Sequence, residues 1–269
     1  MLANKTILLT GATDGIGYQT AIELAKMNPV LILHGKNETK GEKIKNQLIG
    51  GSGNKKIYYF NADLSSFTQI DAFIDKIKGK FDHIDILINN AGIYEANKMI
   101  LENGFEKTFM VNYLSAFHLT LRLLDLLKKS PCAKIINLSS MVHAGSIDFA
   151  NLNGEKSYSG DSAYSLSKLC NILFTYELAE KLQDEKITVN ALHPGVINTK
   201  LLRAGWGAMG ASATEGAQRI LFLVKDIGKT ITGKYFEYDK ETRSAAISYD
   251  KKIRKELWNI SLSWTNNVF

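Results

Sequence analysis

Thr6-Ile-Leu-Leu-Thr10-Gly11-Ala-Thr13-Asp14-Gly15-Ile16-Gly17 is the stretch from which the rest of the chain can be read. The β-favouring apolar run Thr6–Thr10 passes straight into a glycine-rich turn and then into Tyr18–Met27, where apolar residues recur at helical spacing. Strand, glycine turn and helix in that order let backbone approach a ligand closely and aim the helix's free amides at it. A pyrophosphate suits such a place, with Gly11, Thr13, Asp14, Gly15 and Ile16 along the turn and Gly17 allowing close packing of helix on strand. The spacing G-x-x-x-G-x-G departs from the commoner G-x-G-x-x-G, and a tight loop without a ligand uses the same residues. The strand-to-helix context favours dinucleotide binding.

The same alternation continues outward. Val30–His34, Lys56–Asn61, Ile84–Ile88, Ala133–Ser139 and Ile187–Leu192 read as further strands, and Tyr235–Glu237 as a last one. Between them lie a long amphipathic helix from about Gly104 to Lys129, a helix from Tyr164 to about Asp184 and another from Thr214 to Val224. Strands alternating with helices predict a single-domain α/β fold over residues 1–269. It is a doubly wound parallel sheet of Rossmann type with helices on both faces and a ligand crevice at the carboxyl ends of the strands. Residues 141–163 read as a loop bordering a pocket, residues 196–213 as a glycine- and alanine-rich flap around Trp206 and Met209, and residues 240–269 as a mixed polar and aromatic tail.

Candidate ligand contacts fall at the predicted strand ends. An acidic residue about 20 positions past the glycines would accept from a ribose 2′-hydroxyl, but none occurs before Glu38. Lys36 offers positive charge instead, which suits a 2′-phosphate, so NADP(H) is preferred and NAD(H) stays open; an exposed loop lysine is the plainer reading of the same residue. Asp63 has two readings, acceptor for an adenine amino group or turn residue. Asn89-Asn90-Ala91-Gly92 closes the fourth strand with small and amide-bearing residues. Asn112 lies inside the long helix, where asparagine is a poor helix former. Tyr164 and Lys168 stand four apart on one helix face, so the ammonium is expected to favour the charged form of the phenol. That spacing is weak alone and gains weight from its position among the strand-end motifs.

Composition narrows the class. The 269 residues, 45% hydrophobic and 22% charged, fit one soluble globular domain. No run approaches the length of a membrane span, and the first residues lead into a strand rather than a signal peptide, so a cytoplasmic protein is expected. Cys132 and Cys170 lack metal-like spacing and read as free thiols. The formal charge of +6 is spread over lysines mixed with acids, without a basic block or interleaved aromatics, which argues against nucleic acid as a partner.

Taken in order, Thr10-Gly11-x-x-x-Gly15-Ile-Gly17, Asn89-Asn-Ala-Gly92, Ser140, Tyr164-x-x-x-Lys168 and Pro194-Gly195-x-x-x-Thr199 make the chain resemble the short-chain dehydrogenase/reductase family over nearly its whole length. Asp148–Leu152, Tyr158–Tyr164, Glu215-Gly-Ala-Gln and Gly233-Lys-Tyr-Phe look like its retinol-dehydrogenase-like branch. The resemblance implies that Tyr164 is the general acid or base, that Lys168 holds the nicotinamide ribose and lowers the tyrosine pKa, that Ser140 bonds the substrate oxygen, and that Asn112 supports a water relay to Lys168. It also implies Asn90, Ala91 and Gly92 near the nicotinamide-side ribose, Asp63 and Leu64 by the adenine, and Pro194, Gly195 and Thr199 on the carboxamide. Asp14 departs from relatives that carry a basic residue there. The expected activity is hydride transfer between NADP(H) and a small hydrophobic alcohol, aldehyde or ketone, retinoid-, steroid- or lipid-like. The alternative is a non-catalytic dinucleotide-binding regulator on the same fold. A homo-oligomer is compatible with the sequence.

Overall fold

The computed structural model describes residues 2–225 and 231–269. In chain order the described elements are β1 (Thr6–Leu9), α1 (Gly15–Ala25), β2 (Val30–Gly35), α2 (Glu38–Ser52), β3 (Ile57–Asn61), α3 (Phe67–Lys78) and β4 (Ile86–Asn89). Then come α4 (Lys107–Phe109), a π turn (Met110–Leu114), α5 (Ser115–Arg122), α6 (Leu124–Lys128) and β5 (Ala133–Leu138). Last are α7 (Gly160–Lys181), β6 (Ile187–His193), α8 (Lys200–Trp206), α9 (Ala213–Lys225), β7 (Lys234–Glu237), β8 (Lys240–Glu241) and α10 (Lys251–Thr265).

The strands form one sheet in the order β3-β2-β1-β4-β5-β6-β7-β8, parallel from β3 to β7 with β8 returning antiparallel. Alternate strand residues serve opposite faces. Leu8, Ile32, Leu87, Ile135 and Val189 join the core under α3, α5, α7 and α10, while Ile7, Leu9, Leu31, Leu33 and Ile88 join the core under α1, α2 and α9. The doubly wound fold is thus the one the sequence implies, and the order reverses between β1 and β4, which opens a crevice at their carboxyl ends.

Two expectations need correction. The long helix is not continuous: it opens into the π turn at Asn112 and breaks again at Leu123, whose backbone leaves the helical region between α5 and α6. Nor are residues 240–269 merely a tail. Asp250 caps α10 by accepting from Lys252 N, and Leu257 and Trp258 are buried against Phe117 and Phe174. The hydroxyls of Tyr113 and Ser261 are 2.7 Å apart beneath it. The helical spacing of Ile253, Leu257, Ile260 and Trp264 was the available signal, interrupted by the polar Asn259, Ser261 and Ser263.

Candidate active site

The glycine turn is locked to the end of β4. Thr10 Oγ1 accepts from the amides of Asn90 and Ala91, both at 3.0 Å, and Asn90 Nδ2 donates to Thr10 O at 2.8 Å and Gly11 O at 3.2 Å. A Cβ on Gly17 would lie 2.1 Å from Gly11 O, and one on Gly11, at φ +65°, would lie 2.8 Å from Ala91 Cα. The Asn90 side chain is therefore spent on holding the turn. Asp14 caps α1 through Gly15 N and pairs with Lys40 Nζ at 3.0 Å and Lys200 Nζ at 2.9 Å. Burial raises its pKa, but the bonds from Lys200 and Lys40 prevail and bring it down to about 2. The negative charge at this position, where relatives carry a basic residue, is already met by two ammoniums.

A cavity of about 370 Å³ lies over this turn, bordered by Gly11, Thr13, Gly15, Ile16, Lys36, Asp63, Leu64, Ala91 and Gly92. Its glycine cradle and the amino end of α1 fit a dinucleotide: backbone comes close where any side chain would intrude. Lys36, with 71% of its side chain exposed, reaches Asp63 Oδ2 at 2.7 Å, and Asp63 Oδ1 accepts from Ser65 N and Oγ. Asp63 is thus a turn residue and a partner of Lys36 at once; burial raises its pKa, while Lys36 and Ser65 lower it to a net downward shift.

Across the crevice, β5 delivers Ser139 and Ser140, and α7 presents Tyr164 and Lys168 one turn apart, all buried. Ser159 starts α7 with a reciprocal capping box to Ser162. Lys168 Nζ donates to Leu138 O at 3.0 Å and lies 5.4 Å from the Tyr164 ring centre. Burial pushes the Tyr164 phenol up to about 12, partly offset by the Ser140 hydroxyl, and pushes Lys168 down to about 8. The net lowering of the phenol expected from the sequence is absent: burial dominates and the shift is upward, with the ammonium 5.4 Å from the ring and turned toward the Leu138 carbonyl.

Asn112 occupies the wide turn of the π segment. Its Oδ1 accepts from Ile93 N at 2.8 Å, while Nδ2 donates to Ile93 O at 3.0 Å and Ser167 Oγ at 3.1 Å. Its side chain fixes the segment that follows Gly92, and no bond from it reaches Lys168. A Cβ on Gly92 would sit 3.5 Å from both Asn112 Oδ1 and Lys168 Nζ, so these two groups flank one backbone position.

A second cavity, about 340 Å³, adjoins the first through Ile16, Asn90, Gly92, Thr199 and Leu201 and contains Ser140, Tyr164 and Lys168. Its wall is apolar, with Met141, Val142, Leu202, Trp206 and Met209. Trp206, on α8 within the expected flap, packs 5.4 Å from the Tyr164 ring and 5.0 Å from Tyr94. Thr199 caps α8 and lies over the turn, since a Cβ on Gly15 would meet Thr199 Cγ2 at 3.0 Å. Pro194 O accepts from Arg219 Nη1 at 2.6 Å, and Gly195, at φ +104°, leaves room for that guanidinium.

Several contributors escape a linear reading. Lys40 and Lys200 come to Asp14 from α2 and α8. His34 accepts from Gly11 N on Nδ1 at 3.4 Å, and its Nε2 faces Ala62 O at 3.1 Å; burial holds its pKa near 4, so it stays neutral. His143 Nε2 accepts from Ala245 N at 2.9 Å, which leaves Nδ1 as donor to Ser140 O at 2.7 Å, so the C-terminal segment steadies the serine loop. Only Lys200, next to Thr199, carried a positional hint.

A doubly wound sheet with a glycine-cradled dinucleotide crevice opening onto serine, tyrosine and lysine defines a nicotinamide-dependent oxidoreductase. The family model described as short chain dehydrogenase matches residues 5–206. Human retinol dehydrogenase 13 is 39% identical over 275 residues, covering 96% of this chain and 83% of the relative; human polyprenol dehydrogenase is 33% identical over 283 residues, covering 97% and 85%. Among solved structures, a protein from Mycobacterium Paratuberculosis superposes with a TM-score of 0.84 at 27% identity, covering 100% of this chain and 96% of that one. A short chain dehydrogenase from Escherichia coli CFT073 complexed with NADPH gives 0.75 at 24% identity, covering 89% and 98%. The chain belongs to the short-chain dehydrogenase/reductase family, in its retinol-dehydrogenase-like branch, and acts on alcohols or carbonyls. Among the described residues no helix is long and apolar enough to cross a membrane.

Proposed function

We propose that the protein is an NADP(H)-dependent oxidoreductase for hydrophobic alcohols, aldehydes or ketones of retinoid, steroid or lipid type. One observation carries this reading: a buried phenol held in its protonated form stands where an apolar cavity opens into the dinucleotide crevice. The bound nicotinamide would supply or accept the hydride. In carbonyl reduction Tyr164 hands its proton to the developing alkoxide, and Ser140 donates to the same oxygen. The Lys168 ammonium stabilises the phenolate left behind, and it keeps its charge below about pH 8. Oxidation runs the same transfer backwards and needs the phenolate, so the free protein's electrostatics favour reduction. Lys36, beside Asp63 at the rim, is the contact proposed for a 2′-phosphate, with Lys40 and Lys200 close behind. The retinol and polyprenol dehydrogenases among its relatives support a long apolar substrate.

Following the oxidation of NADPH and NADH optically, with retinal, steroid ketones, lipid aldehydes and short polar aldehydes, tests the proposal. Turnover is expected to be fastest with NADPH and a long apolar carbonyl. A preference for short polar substrates would overturn the substrate class, and a preference for NADH would overturn the cofactor choice.

A further inference from the structure

Beyond the residues singled out by motif, the helix that carries Tyr164 and Lys168 holds one more buried amide. Asn171 stands three residues past Lys168, on the same side of α7, and is 3% exposed. Its neighbours Leu169, Cys170, Ile172, Leu173 and Phe174 are buried apolar side chains. Its Nδ2 donates to Asn112 O at 3.0 Å and to Leu138 O at 3.3 Å. Leu138 O is also the acceptor for the Lys168 ammonium. A continuous set of bonds therefore runs from the Asn112 carbonyl through the Asn171 amide to the Leu138 carbonyl and on to Lys168.

We propose that Asn171 is a positioning residue for the reaction, its amide fixing both the π turn that carries Asn112 and the carbonyl that aims the Lys168 ammonium. The orientation of the amide is settled by its surroundings, because a flipped side chain would set its oxygen against two carbonyl oxygens. The other end, Oδ1, is buried with no partner among the described residues. An unpaired buried acceptor is a net loss. A leucine of similar shape would avoid it, so whatever Asn171 contributes lies in its two donated bonds.

Each peptide oxygen has two lone pairs. At Leu138 Asn171 takes one and leaves the other to Lys168; at Asn112 it adds a side-chain donor to the carbonyl of the π turn. Without the amide, Leu138 O regains a lone pair beside the ammonium and Asn112 O loses the donor that ties the π turn to α7. Lys168 would settle more firmly on Leu138 O and away from Tyr164, and the stronger acceptor favours its charged form. The titratable groups that face Lys168 are Tyr164 on its own helix and His193 at the end of β6. His193 is held near 4 by burial first and by the charges of Arg219, His143 and Lys168 next, so it stays neutral across the working range.

The inference rests on Tyr164 and Lys168 serving the reaction, and Tyr164→Phe is measured alongside: turnover retained by that variant would overturn the site reading and leave the Asn171 result to be judged by its own criteria. Asn171→Leu and Asn171→Ser are compared with the unmodified protein in kcat and KM for carbonyl reduction from pH 6 to 10, in cofactor Kd and in thermal melting. Asn171→Leu is expected to melt no lower than the parent, to lose about tenfold in kcat with cofactor Kd within a few-fold, and to move the alkaline limb of kcat upward by about one pH unit. Asn171→Ser, with a single hydroxyl donor, is expected to fall between the two. Folded variants with kcat within about twofold of the parent overturn the proposal. So does a loss of kcat without any movement of the limb, which would mean packing alone. If Asn171→Leu does not fold, Asn171→Ser is judged by the same criteria.

Discussion

The two walls of the cleft are built on opposite principles. On the dinucleotide side, backbone is packed closely and held by short polar side chains: Thr10 Oγ1 and Asn90 Nδ2 tie the turn to the end of β4, and a single added methyl at Gly17 would collide with Gly11 O at 2.1 Å. On the substrate side, large apolar side chains from distant segments face an opening, and Met141 and Met209 remain 49% and 52% exposed. The first wall suits a feature every such cofactor shares, the pyrophosphate, and leaves no room for a side chain at Gly11 or Gly17. The second is adjustable, since swapping one apolar side chain reshapes the cavity without disturbing a hydrogen bond. Between them stands the buried face of α7, where the chemistry is placed at a cost in stability.

The largest expected effect lies on that shared face. Tyr164→Phe keeps the ring that packs against Trp206 and removes only the transferable proton. Turnover should fall by at least about a thousandfold, while cofactor affinity stays within a few-fold. Steady-state kinetics with a cofactor titration checks this; more than about a tenth of the parent kcat, a barrier change below roughly 1.4 kcal/mol, would remove Tyr164 from its role.

Lys168→Met comes next and should act in two directions. The chemical step should slow by about a hundredfold or more, because the phenolate loses its cation. Stability should rise. Lys168 is lowered in the folded protein from 10.5 to about 8, so its buried charge is a penalty fully present below pH 8 that fades as pH climbs through 10.5. Removing the charge is expected to yield about 1–3 kcal/mol at pH 7, seen as a higher melting temperature, and the gap should close above about pH 10. A variant that melts lower at pH 7 would show that the ammonium's bond to Leu138 outweighs its desolvation.

The contrast between the walls also explains what could be read in advance. The fold and the dinucleotide crevice were legible because each depends on local signals: an apolar run, a glycine spacing, the start of a helix. Tyr164 and Lys168 were legible because one helical turn fixes their geometry. What was hidden depends on long-range contact. Nothing near Asp14 in sequence announces that Lys40 and Lys200 will meet it, and Asn112 looked misplaced in a helix because a π turn is set by its bonds to Ile93 and Ser167. The net downward shift expected for the tyrosine is absent for a related reason. Spacing gives adjacency, but burial, which spacing does not report, dominates both groups.

A pair of single changes separates the walls. Gly17→Ala should be felt through the cofactor, with NADPH affinity down more than about tenfold and a lower melting temperature, as expected of overpacking worth about 1–3 kcal/mol. Trp206→Ala should leave cofactor affinity unchanged and raise KM about tenfold for long apolar carbonyls, with little effect on short ones. Equal loss of cofactor affinity in both variants would mean that α8 belongs to the dinucleotide wall as much as to the substrate wall.

The smallest effect concerns the choice between the two nicotinamide cofactors, where charges oppose one another at the rim. Lys36 is mostly exposed and tied to Asp63 at 2.7 Å, so engaging a 2′-phosphate means sharing or leaving that carboxylate. Asp14, paired with Lys40 and Lys200, presents less net negative charge than the sequence suggests, and the two lysines add positive potential close by. The attraction should prevail, but exposed pairs are screened and individually weak. A preference for NADPH of about 10- to 100-fold in kcat/KM is expected, equivalent to about 1.4 to 2.7 kcal/mol. Lys36→Asp should erase or reverse it, and Asp14→Ala, which frees two ammoniums, should strengthen it by a few-fold. Both shifts should shrink as salt is raised from about 0.05 to 0.5 M, because the Debye length falls from about 14 Å to about 4 Å and these exposed charges are increasingly screened. Ratios of kcat/KM for NADPH and NADH at two ionic strengths decide the matter. If Lys36→Asp leaves the ratio where it was, the phosphate contact belongs to Lys40 or Lys200, and α8, which carries Lys200, then takes part in selecting the cofactor.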